Sequence, residues 1–579
     1  MNREEKIKEK RKPLVWICRN SGRYLCAVGL LAVVSAVISG SFLLLALVSR
    51  QVLDIATGAA KGSVILCAVK LCGIIGLQAV LNILNANLRI RVLTKLEMRI
   101  RQNIFASLLK KQYAQIRQMH SGEILNRFTS DIDIIVNGII NLFPQLAAMM
   151  TQLVGGMLVL FSVDRRFMLL ILAIGILVLA GSRLCSGKFR YLHKEVQRTN
   201  GKVRSFLQEC VENVVVIKSF ANETSVLGRL SEYQEENYKI RKKRTAVSNV
   251  ANTAVYVIFS AGYYAALVWG ALQIAAGQMT VGTVAALLQI VNQIKSPFRS
   301  MSGLLTQYYS MIASAERIME LEDLKEEEKQ ETEVDITSLY NRMKSICLEH
   351  GTFAYHEGEP VLRGASLMIE KGEFVAITGP SGAGKSTLFK LLLHLAELQE
   401  GCLELEFIQE SKDQEKADIE NRNCNLDAGT RGLFAYVPQG NLILSGSIRE
   451  NLLFGNADVT EEEMRQAARS ASIERVIEEF PETYDTILGE RGVGLSEGQI
   501  QRIAIARALL SKAPVLLLDE CTSALDQDTE MQLMKELKKL KDRTILCVSH
   551  KDSTTNCCDR IVRLTDGKFV QENQPQKNH

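Results

Sequence analysis

A stretch of nine residues, Gly379–Thr387, constrains the fold of this chain more than any other feature. It reads Gly-Pro-Ser-Gly-Ala-Gly-Lys-Ser-Thr and matches the phosphate-loop pattern, in which two glycines flank four residues and Lys and Ser/Thr follow. The apolar run Phe374–Thr378 before it predicts a buried strand, and Leu388–Leu393 after it predicts a helix. In that setting the glycines let backbone N–H groups surround phosphate oxygens, and the helix N-terminus adds a partial positive charge.

The loop residues are candidates for binding the phosphates of ATP and a Mg²⁺ ion. Lys385 is placed to reach the outer phosphates as a point charge, and the hydroxyl of Ser386 is placed to ligate Mg²⁺. The alternative, a glycine-rich turn with an unrelated lysine, does not explain why strand, loop and helix follow in this order. The candidate ATP-binding residues of the loop are Gly379, Ser381, Gly382, Gly384, Lys385, Ser386 and Thr387.

The first half of the chain contains six apolar stretches that reach or approach the roughly 20 residues needed to cross a bilayer. Core helices of a soluble protein are the alternative, but several stretches carry almost no charge. Lys70 lies within the second stretch, where it either has a function or snorkels to water. The six predicted spans are about Tyr24–Val48, Val64–Leu84, Ile139–Phe161, Phe167–Leu184, Val255–Ala275 and Val281–Leu305.

The charged segment Met1–Arg23 predicts the orientation of the first span. The apolar run after it is too long for a signal-peptide core and lacks a clean small-residue cleavage site. The positive-inside rule places this N-terminus in the cytoplasm. We therefore expect a retained first span with a cytoplasmic N-terminus. The expected location is a cell membrane, specifically a bacterial cytoplasmic membrane, that the protein crosses several times, with the nucleotide-binding (ATPase) domain in the cytoplasm.

Composition excludes some classes of function. The chain has 579 residues, a formal net charge of +5 and no basic stripe with interleaved aromatic residues, so nucleic acid is not an expected partner. Its 13 cysteines are scattered without CxxC spacing, which indicates reduced thiols rather than disulfides or a zinc site.

Two long polar connectors, Asn85–Asn137 and Cys185–Asn249, follow the second and fourth spans. Both are rich in Arg and Lys and have helical apolar spacing, so they predict helices that extend into the cytoplasm. Each contains a Gly beside a capping residue that predicts a helix break, at His120–Glu123 and at Thr199–Lys202. The predicted tips that dock on the soluble domain are Ser121–Phe128 and Gly201–Glu209.

An acidic run, Glu320–Glu333, predicts the end of a long helix and a solvated linker. After it, strand-like and helical runs alternate, which predicts an α/β fold with a largely parallel sheet. The predicted strands are Ser345–Leu348, Phe374–Thr378, Leu433–Val437, Val515–Leu518 and Thr544–Val548. The predicted domains are a transmembrane domain over residues 1–322, a linker over 323–344 and an ATP-binding domain over 345–579.

Two carboxylates, Asp519 and Glu520, end the fourth of these strands. At the C-terminal edge of a parallel sheet beside a phosphate loop, Asp519 is placed to hold Mg²⁺ and Glu520 to polarise the attacking water as general base.

Three other side chains complete the predicted site. His550 ends the next strand, where it can contact the γ-phosphate, and Gln439 follows another strand, where its amide can bind Mg²⁺ and the lytic water. Tyr355 offers a flat ring for adenine, although an ordinary core tyrosine is the alternative.

The stretch Leu495-Ser-Glu-Gly-Gln499, with Gln501-Arg502 and Ser523–Asp526, resembles the signature of ATP-binding cassette (ABC) proteins. The phosphate loop, Gln439, Asp519-Glu520 and His550 occur in the order of that family. The first half also resembles the exporter type, including regions from Ser121 through Asp131 and from Phe206 through Phe220 that look like its coupling regions. The resemblance implies an α-helical six-span transmembrane domain followed by an α/β P-loop ATPase cassette.

The resemblance implies a half-transporter that exports its cargo by alternating access with a second half-transporter, as a homodimer or heterodimer. ATP would then lie between the phosphate loop of one cassette and the signature of the other. The cargo stays open among a lipid, a drug-like amphiphile and a peptide. Because Met1 runs almost directly into the first span, we expect no cysteine-peptidase domain and no leader-cleaving peptide exporter. The residues expected to contact ATP of the partner are Ser496, Glu497, Gly498, Gln499 and Asp526.

Two departures from the family pattern stand out. Glu497 replaces the usual Gly of the signature, and we expect its side chain to point to solvent. The polar stretch Gln409–Thr430 is longer than usual and the Asp-Gly turn after Gly401 is absent, which predicts a surface excursion or, as the alternative, a regulatory segment. Besides an exporter, the alternatives are an importer on the same fold and an ATP-gated or regulatory cassette protein.

Overall fold

The protein divides into a helical unit and an α/β unit. They comprise residues 1–109 with 120–323, and residues 110–119 with 324–579. The structure is a computed structural model, and the residues it describes are 3–163, 165–327, 335–355, 358–408, 424–440, 443–489 and 494–572.

Long helices form the first unit. Its apolar sequence runs fold this way because a backbone in lipid has to satisfy its hydrogen bonds within the helix. Helix α2 packs against α3, α6 and α10, while α7 packs against α9. The helices in chain order are α1 (Arg3–Ser21), α2 (Tyr24–Ala56), α3 (Val64–Leu108), α4 (Tyr113–Gln118, in the second unit), α5 (Ser121–Asn126), α6 (Ile132–Val163), α7 (Arg165–Glu212), α8 (Val214–Ser219), α9 (Glu223–Ala275) and α10 (Val281–Glu322).

Within the described residues, four helices are long and apolar enough to cross a membrane: Tyr24–Ala56, Val64–Leu108, Ser121–Val163 and Glu223–Ala275. They contain the first, second, third and fifth predicted spans. The predicted fourth span lies on α7, where several side chains fall outside the described residues, and the sixth lies on α10 but is not among these four.

The first connector breaks before Ser121, as predicted, because α5 begins there after an extended His120. The predicted tip Ser121–Phe128 is nevertheless wrong in position. The segment that groups with the α/β unit is residues 110–119, which contains α4, whereas residues 120–131 group with the helical unit.

The second connector does not break at Thr199–Lys202, because α7 runs through this stretch to Glu212. A single Gly costs a helix only about 1 kcal/mol relative to Ala. Here α9 supports the helix, since the side-chain amide of Asn237 donates to Thr199 Oγ1 at 2.8 Å. The turn occurs instead around α8, after Asn213, so the predicted tip Gly201–Glu209 is also wrong in position.

The α/β unit contains the predicted parallel sheet and a second, antiparallel one. The parallel sheet has the order β12-β11-β3-β10-β9-β6, with only the β11–β12 pair antiparallel, and the antiparallel sheet has the order β2-β1-β4-β5. The predicted strand Ser345–Leu348 belongs to the latter. The strands are β1 (Met343–Ala354), β2 (Pro360–Glu370), β3 (Phe374–Thr378), β4 (Glu400–Phe407), β5 (Cys424–Asn425), β6 (Phe434–Val437), β7 (Gly446–Ser447), β8 (Ile487–Leu488), β9 (Val515–Asp519), β10 (Thr544–Val548), β11 (Arg560–Thr565) and β12 (Lys568–Glu572).

Both faces of the parallel sheet are buried, which explains why its strands are continuous apolar runs. Along β9, Leu516 and Leu518 face one hydrophobic core while Val515 and Leu517 face another. The helices of this unit are α11 (Ile336–Arg342), α12 (Lys385–Leu392), α13 (Ile448–Leu453), α14 (Glu461–Ser470), α15 (Glu474–Glu478), α16 (Glu497–Leu510), α17 (Gln527–Lys538) and α18 (Asp552–Thr555). The predicted excursion Gln409–Thr430 lies largely outside the described residues.

Candidate functional site: a phosphate loop at the edge of the parallel sheet

The loop between β3 and α12 contains three glycines with a left-handed backbone, and at two of them a Cβ would also clash with a neighbour. Gly379 has φ 137° and a Cβ there would lie 2.4 Å from the carbonyl oxygen of Leu564. Gly384 has φ 107°, immediately before α12, and a Cβ there would lie 2.4 Å from the side chain of Val361. The loop therefore keeps a shape in which N–H groups at the start of α12 are available to an anion.

Lys385, the first residue of α12, is only 5% exposed. Its Nζ donates to the carbonyl oxygens of Gly379 at 2.7 Å and Pro380 at 2.9 Å. Burial lowers the pKa of this lysine, while the charges of Glu520 and Asp519 act in the opposite direction. The ammonium group is thus held inside the loop, where phosphate oxygens would compete with the two carbonyls.

The end of β9 places a buried carboxylate next to the loop. Asp519 is 1% exposed and its Oδ2 accepts a hydrogen bond from the Tyr436 hydroxyl at 3.2 Å. Its Oδ1 has no hydrogen-bond partner among the described residues. Burial raises the pKa of Asp519, while interactions with the hydroxyls of Ser386 and Tyr436 oppose the shift.

These donors fit a Mg²⁺ ion. The unpaired buried oxygen of Asp519 and the hydroxyl of Ser386, which acts on the pKa of Asp519, supply the hard oxygen chemistry that Mg²⁺ prefers, with substrate phosphates and water as further ligands. In the described part of the chain no group of three or more His, Cys, Asp or Glu residues forms a separate metal site.

Glu520 extends from β9 with a left-handed backbone, φ 49°. Its N–H donates to the Val548 carbonyl at 3.1 Å, which ties this strained residue to β10. The carboxylate accepts a hydrogen bond from Nε2 of Gln439 and lies 3.7 Å from Nε2 of His550. The structure therefore brings together the three side chains predicted to act on the attacking water and the γ-phosphate.

Tyr355 follows β1 and is 44% exposed, which does not fit an ordinary core tyrosine. Its hydroxyl lies 3.2 Å from Thr387 Oγ1 and accepts from Lys390 Nζ at 3.3 Å. Burial raises the pKa of Tyr355, but these hydrogen bonds outweigh it and the net shift is downward. The guanidinium of Arg117, from the first connector, lies 5.5 Å from the ring centroid.

The signature begins α16 in a capping box. Ser496 Oγ accepts from the N–H of Gln499 at 3.3 Å, and Gln499 Oε1 accepts from the N–H of Ser496 at 2.8 Å. Gly498 is buried, and a Cβ there would lie 2.8 Å from the Ala524 carbonyl oxygen. Glu497 is exposed in the single chain.

A polar contact fixes this helix to the segment that follows Glu520. Gln501 Nε2 donates to Ser523 Oγ at 3.0 Å, and Asp526 caps α17 by accepting from the N–H of Thr529 at 3.0 Å. That cap lowers the pKa of Asp526. Among the described residues, the hydrogen bonds of Ser496–Gln499 do not reach the phosphate loop, so the structure leaves these two predicted groups apart.

Sequence reasoning missed Tyr436 and Arg117. Tyr436 is a half-buried tyrosine on the strand next to β9, and its position in Phe434–Val437 was the available signal, since a tyrosine hydroxyl in such a strand needs a partner. Arg117 gave no signal, because its contact with Tyr355 depends on tertiary structure.

A phosphate loop, a buried strand carboxylate and a Ser-Glu-Gly-Gln helix start define a P-loop ATPase cassette, here in one chain with membrane-length helices. Two family models match: "ABC transporter transmembrane region" over residues 25–298 and "ABC transporter" over residues 362–523. The chain belongs to the ABC transporter family and has the exporter-type half-transporter arrangement, with one membrane domain fused to one cassette.

Curated relatives cover most of the chain. "ATP-dependent lipid A-core flippase" of Desulfotalea psychrophila is 32% identical over 476 residues, 82% of this chain and 80% of that protein. "Fatty acid ABC transporter ATP-binding/permease protein" of Mycobacterium bovis is 30% identical over 451 residues, 78% of this chain and 69% of that protein. "ABC transporter B family member 1" of Dictyostelium discoideum is 31% identical over 481 residues, 82% of this chain, which spans about half of that protein (51%).

A solved structure shares the fold. It is titled "Structure of a bacterial Atm1-family ABC exporter with ATP bound", and it matches with a TM-score of 0.75 and 22% identity over 95% of this chain and 94% of that one.

Proposed function

We propose that this protein is an ATP-driven exporter that works as a dimer by alternating access. The observation that carries the proposal is the division of the ATP-handling groups on one cassette. The phosphate loop, Asp519 and Glu520 lie together, whereas the Ser496 end of α16 is exposed and makes no hydrogen bond to them within the described residues. A second cassette in the opposite orientation would bring the two groups onto one ATP.

Each residue has a role in hydrolysis that follows from its position. Lys385 exchanges the Gly379 and Pro380 carbonyls for outer phosphate oxygens. Asp519, Ser386 and Gln439 would hold Mg²⁺, which would supply charge neutralisation at the phosphates of ATP. Glu520 accepts a proton from the attacking water while the water oxygen bonds to the γ-phosphorus. The bond between the γ-phosphorus and the oxygen that bridges it to the β-phosphate breaks, which gives ADP and phosphate. His550 positions the γ-phosphate.

The exposed tip of the second connector supports the dimer. At α8 the side chains of Val215 and Phe220 are 76% and 78% exposed. Apolar side chains clustered at the end of a long polar helical hairpin mark an interaction site. We assign this site to the cassette of the second half-transporter, so that ATP-driven closure moves α7 and α9 as levers.

The names of the relatives indicate broad classes of cargo. Their printed names include a lipid A-core flippase and a fatty acid transporter. We propose a lipid, a drug-like amphiphile or a peptide as cargo, and a bacterial cytoplasmic membrane with a cytoplasmic cassette as the location.

The test is Glu520→Gln in purified protein reconstituted in lipid. Loss of the general base should lower ATP turnover by about 10²- to 10⁴-fold. ATP binding should persist, and crosslinking should trap a closed dimer with ATP. Glu482→Gln, at an exposed site of the same cassette, is the matched control and should hydrolyse normally. Near-normal turnover in Glu520→Gln would refute the assignment of Glu520 as the general base. An ATP-bound protein that stays monomeric would refute the proposed dimer.

A further inference from the structure

Arg431 holds the end of the phosphate-loop helix. It lies in a short turn, Thr430–Leu433, before β6. Its Nε donates to the Leu393 carbonyl at 2.9 Å and its Nη2 to the His394 carbonyl at 3.3 Å. Both carbonyls follow directly on α12, where a helix leaves its last acceptors unsatisfied and a cation is favoured.

Glu327 holds Arg431 in turn. Its two carboxylate oxygens accept from Nη1 and Nη2 at 3.2 and 3.1 Å, a paired contact that fixes the plane of the guanidinium. The Glu327 side chain is 10% exposed and that of Arg431 34% exposed. This ion pair is therefore more shielded from water than an ordinary surface pair. Without the carboxylate, Arg431 would keep only its hydrogen bonds to the carbonyls of Leu393 and His394 among those within the described residues.

Glu327 is also tied to the first connector through the backbone. Its N–H donates to the Lys110 carbonyl at 2.9 Å, and the N–H of Gln112 donates to the Lys325 carbonyl at 3.0 Å. Between these bonds lies the antiparallel bridge of Lys111 with Glu326, whose side chains pair at 3.1 Å. Residues 110–112 and 325–327 thus form a two-stranded ladder.

We propose that Glu327 and Arg431 are positioning residues that couple the phosphate-loop helix to the first connector of the same chain. The proposal rests on the proposed function, because it takes the loop to be the ATP site. Helix α12 has eight residues and spans about 12 Å, with the loop at one end and Arg431 at the other. A shift of the helix on ATP binding then moves Arg431, Glu327 and residues 110–112 together.

This route differs from the exposed tip at α8. Every contact in it lies within residues 110–119 and 324–579 of one chain, so it signals whether this chain's own loop is occupied. Such a signal requires contacts that differ between the ATP-free and the ATP-bound state. The Glu327–Arg431 pair is placed to differ, because Arg431 binds the end of the loop helix and Glu327 binds the first connector.

The experiment measures amide hydrogen exchange of the full-length protein in lipid, with and without Mg·ATP, in the Glu520→Gln background to prevent turnover. In the parent, ATP should slow exchange in peptides of the phosphate loop and, by about tenfold, in peptides covering 110–112 and 325–327. With Glu327→Gln added, the loop response and the ATP dissociation constant should stay within about threefold, while the connector response should disappear.

Controls separate this role from a structural one. Glu478→Gln removes the acid of an exposed pair with Arg465 (3.4 Å) on the same cassette and should keep both responses. Arg431→Lys keeps the charge but loses the paired contact, and should weaken the connector response without changing exchange in the absence of ATP. It also serves as the test should Glu327→Gln fail to fold.

Three outcomes would overturn the inference or its basis. A connector response that survives in both variants would show that the signal takes another path. Faster exchange at 391–395 without ATP, with weaker ATP binding, would make the pair a structural helix cap. An absent loop response in the parent would instead refute the ATP site itself.

Discussion

The two ends of the candidate ATP site differ in how their polar groups are satisfied. On the phosphate-loop side the charges are buried, with Lys385 at 5% and Asp519 at 1% exposed, and one carboxylate oxygen of Asp519 has no partner within the described residues. On the signature side Ser496 and Glu497 are exposed, and the first turn of α16 is closed by its own capping box.

The difference indicates what each side requires from a ligand. A buried carboxylate oxygen without a partner costs the folded state free energy, and it is expected where a cation compensates it during function. A capped helix start costs nothing and offers its remaining N–H groups to an anion that arrives from outside. These properties support the proposal that the first side binds Mg·ATP and that the second side contacts ATP bound to a second cassette.

The largest effect in this comparison is expected from Asp519→Asn. Loss of this ligand should lower Mg²⁺-dependent ATP hydrolysis by about 10²- to 10³-fold. ATP binding measured without Mg²⁺ should change little. Titrations with and without Mg²⁺ check this, and a variant that keeps its full Mg²⁺ dependence would contradict the assignment.

The same variant tests the buried charge through pH. Because burial raises the pKa of Asp519, the folded state binds its proton more tightly than the unfolded state, and this contribution to the free energy of unfolding falls as pH rises through that pKa. Without nucleotide, Asp519→Asn should therefore be more stable than the parent near neutral pH, by an amount that shrinks towards acid. Thermal unfolding at several pH values measures it, and a destabilised variant near neutral pH would refute the buried-charge account.

An intermediate effect is expected from Ser496→Ala. It should remove a helix cap worth about 1 kcal/mol and, if the signature contacts ATP, lower hydrolysis by about tenfold. The matched control is Ser447→Ala, since Ser447 starts α13 with the same kind of capping box. Both should lose similar stability in thermal unfolding, but only Ser496→Ala should lose ATPase activity. Equal losses of ATPase activity in Ser496→Ala and Ser447→Ala would show that Ser496 acts only as a helix cap.

The smallest effect is expected from Glu497→Gln. The side chain is exposed, and its charge is screened by solvent and salt. The ATPase rate should stay within about threefold of the parent at physiological ionic strength. A much larger increase, which grows as salt is lowered, would mean that this carboxylate faces the phosphates and restrains hydrolysis.

Local sequence predicted the phosphate-loop side well. Strand, loop and helix around Lys385 depend on neighbours in the chain, and Asp519 and His550 follow buried strands whose carboxyl ends share one edge of the sheet. Three local rules are enough to predict these features: the periodicity of apolar residues, the positions of glycines, and the rule that the carboxyl ends of parallel strands share one edge of the sheet. The contacts that support them, such as Tyr436 with Asp519, join separate strands, so local sequence indicates that the Tyr436 hydroxyl needs a partner but not which residue provides it.

The connectors show where local rules fail. Gly201 lies beside a capping residue, yet α7 continues because Asn237 of α9 binds the helix at Thr199 and Asn200. Tertiary support of this kind overrides a propensity of about 1 kcal/mol. The ladder of residues 110–112 with 325–327 joins segments more than 200 residues apart, which no reading of either segment alone would find.

The bare apolar tip at α8 has a consequence for the life of the protein in a cell. In the proposed dimer a subunit without its partner leaves Val215 and Phe220 exposed to solvent, the kind of surface by which chaperones and proteases distinguish unfinished proteins. We expect unpaired subunits of the proposed dimer to be short-lived, so that the abundance of the assembled transporter is limited by how fast subunits pair.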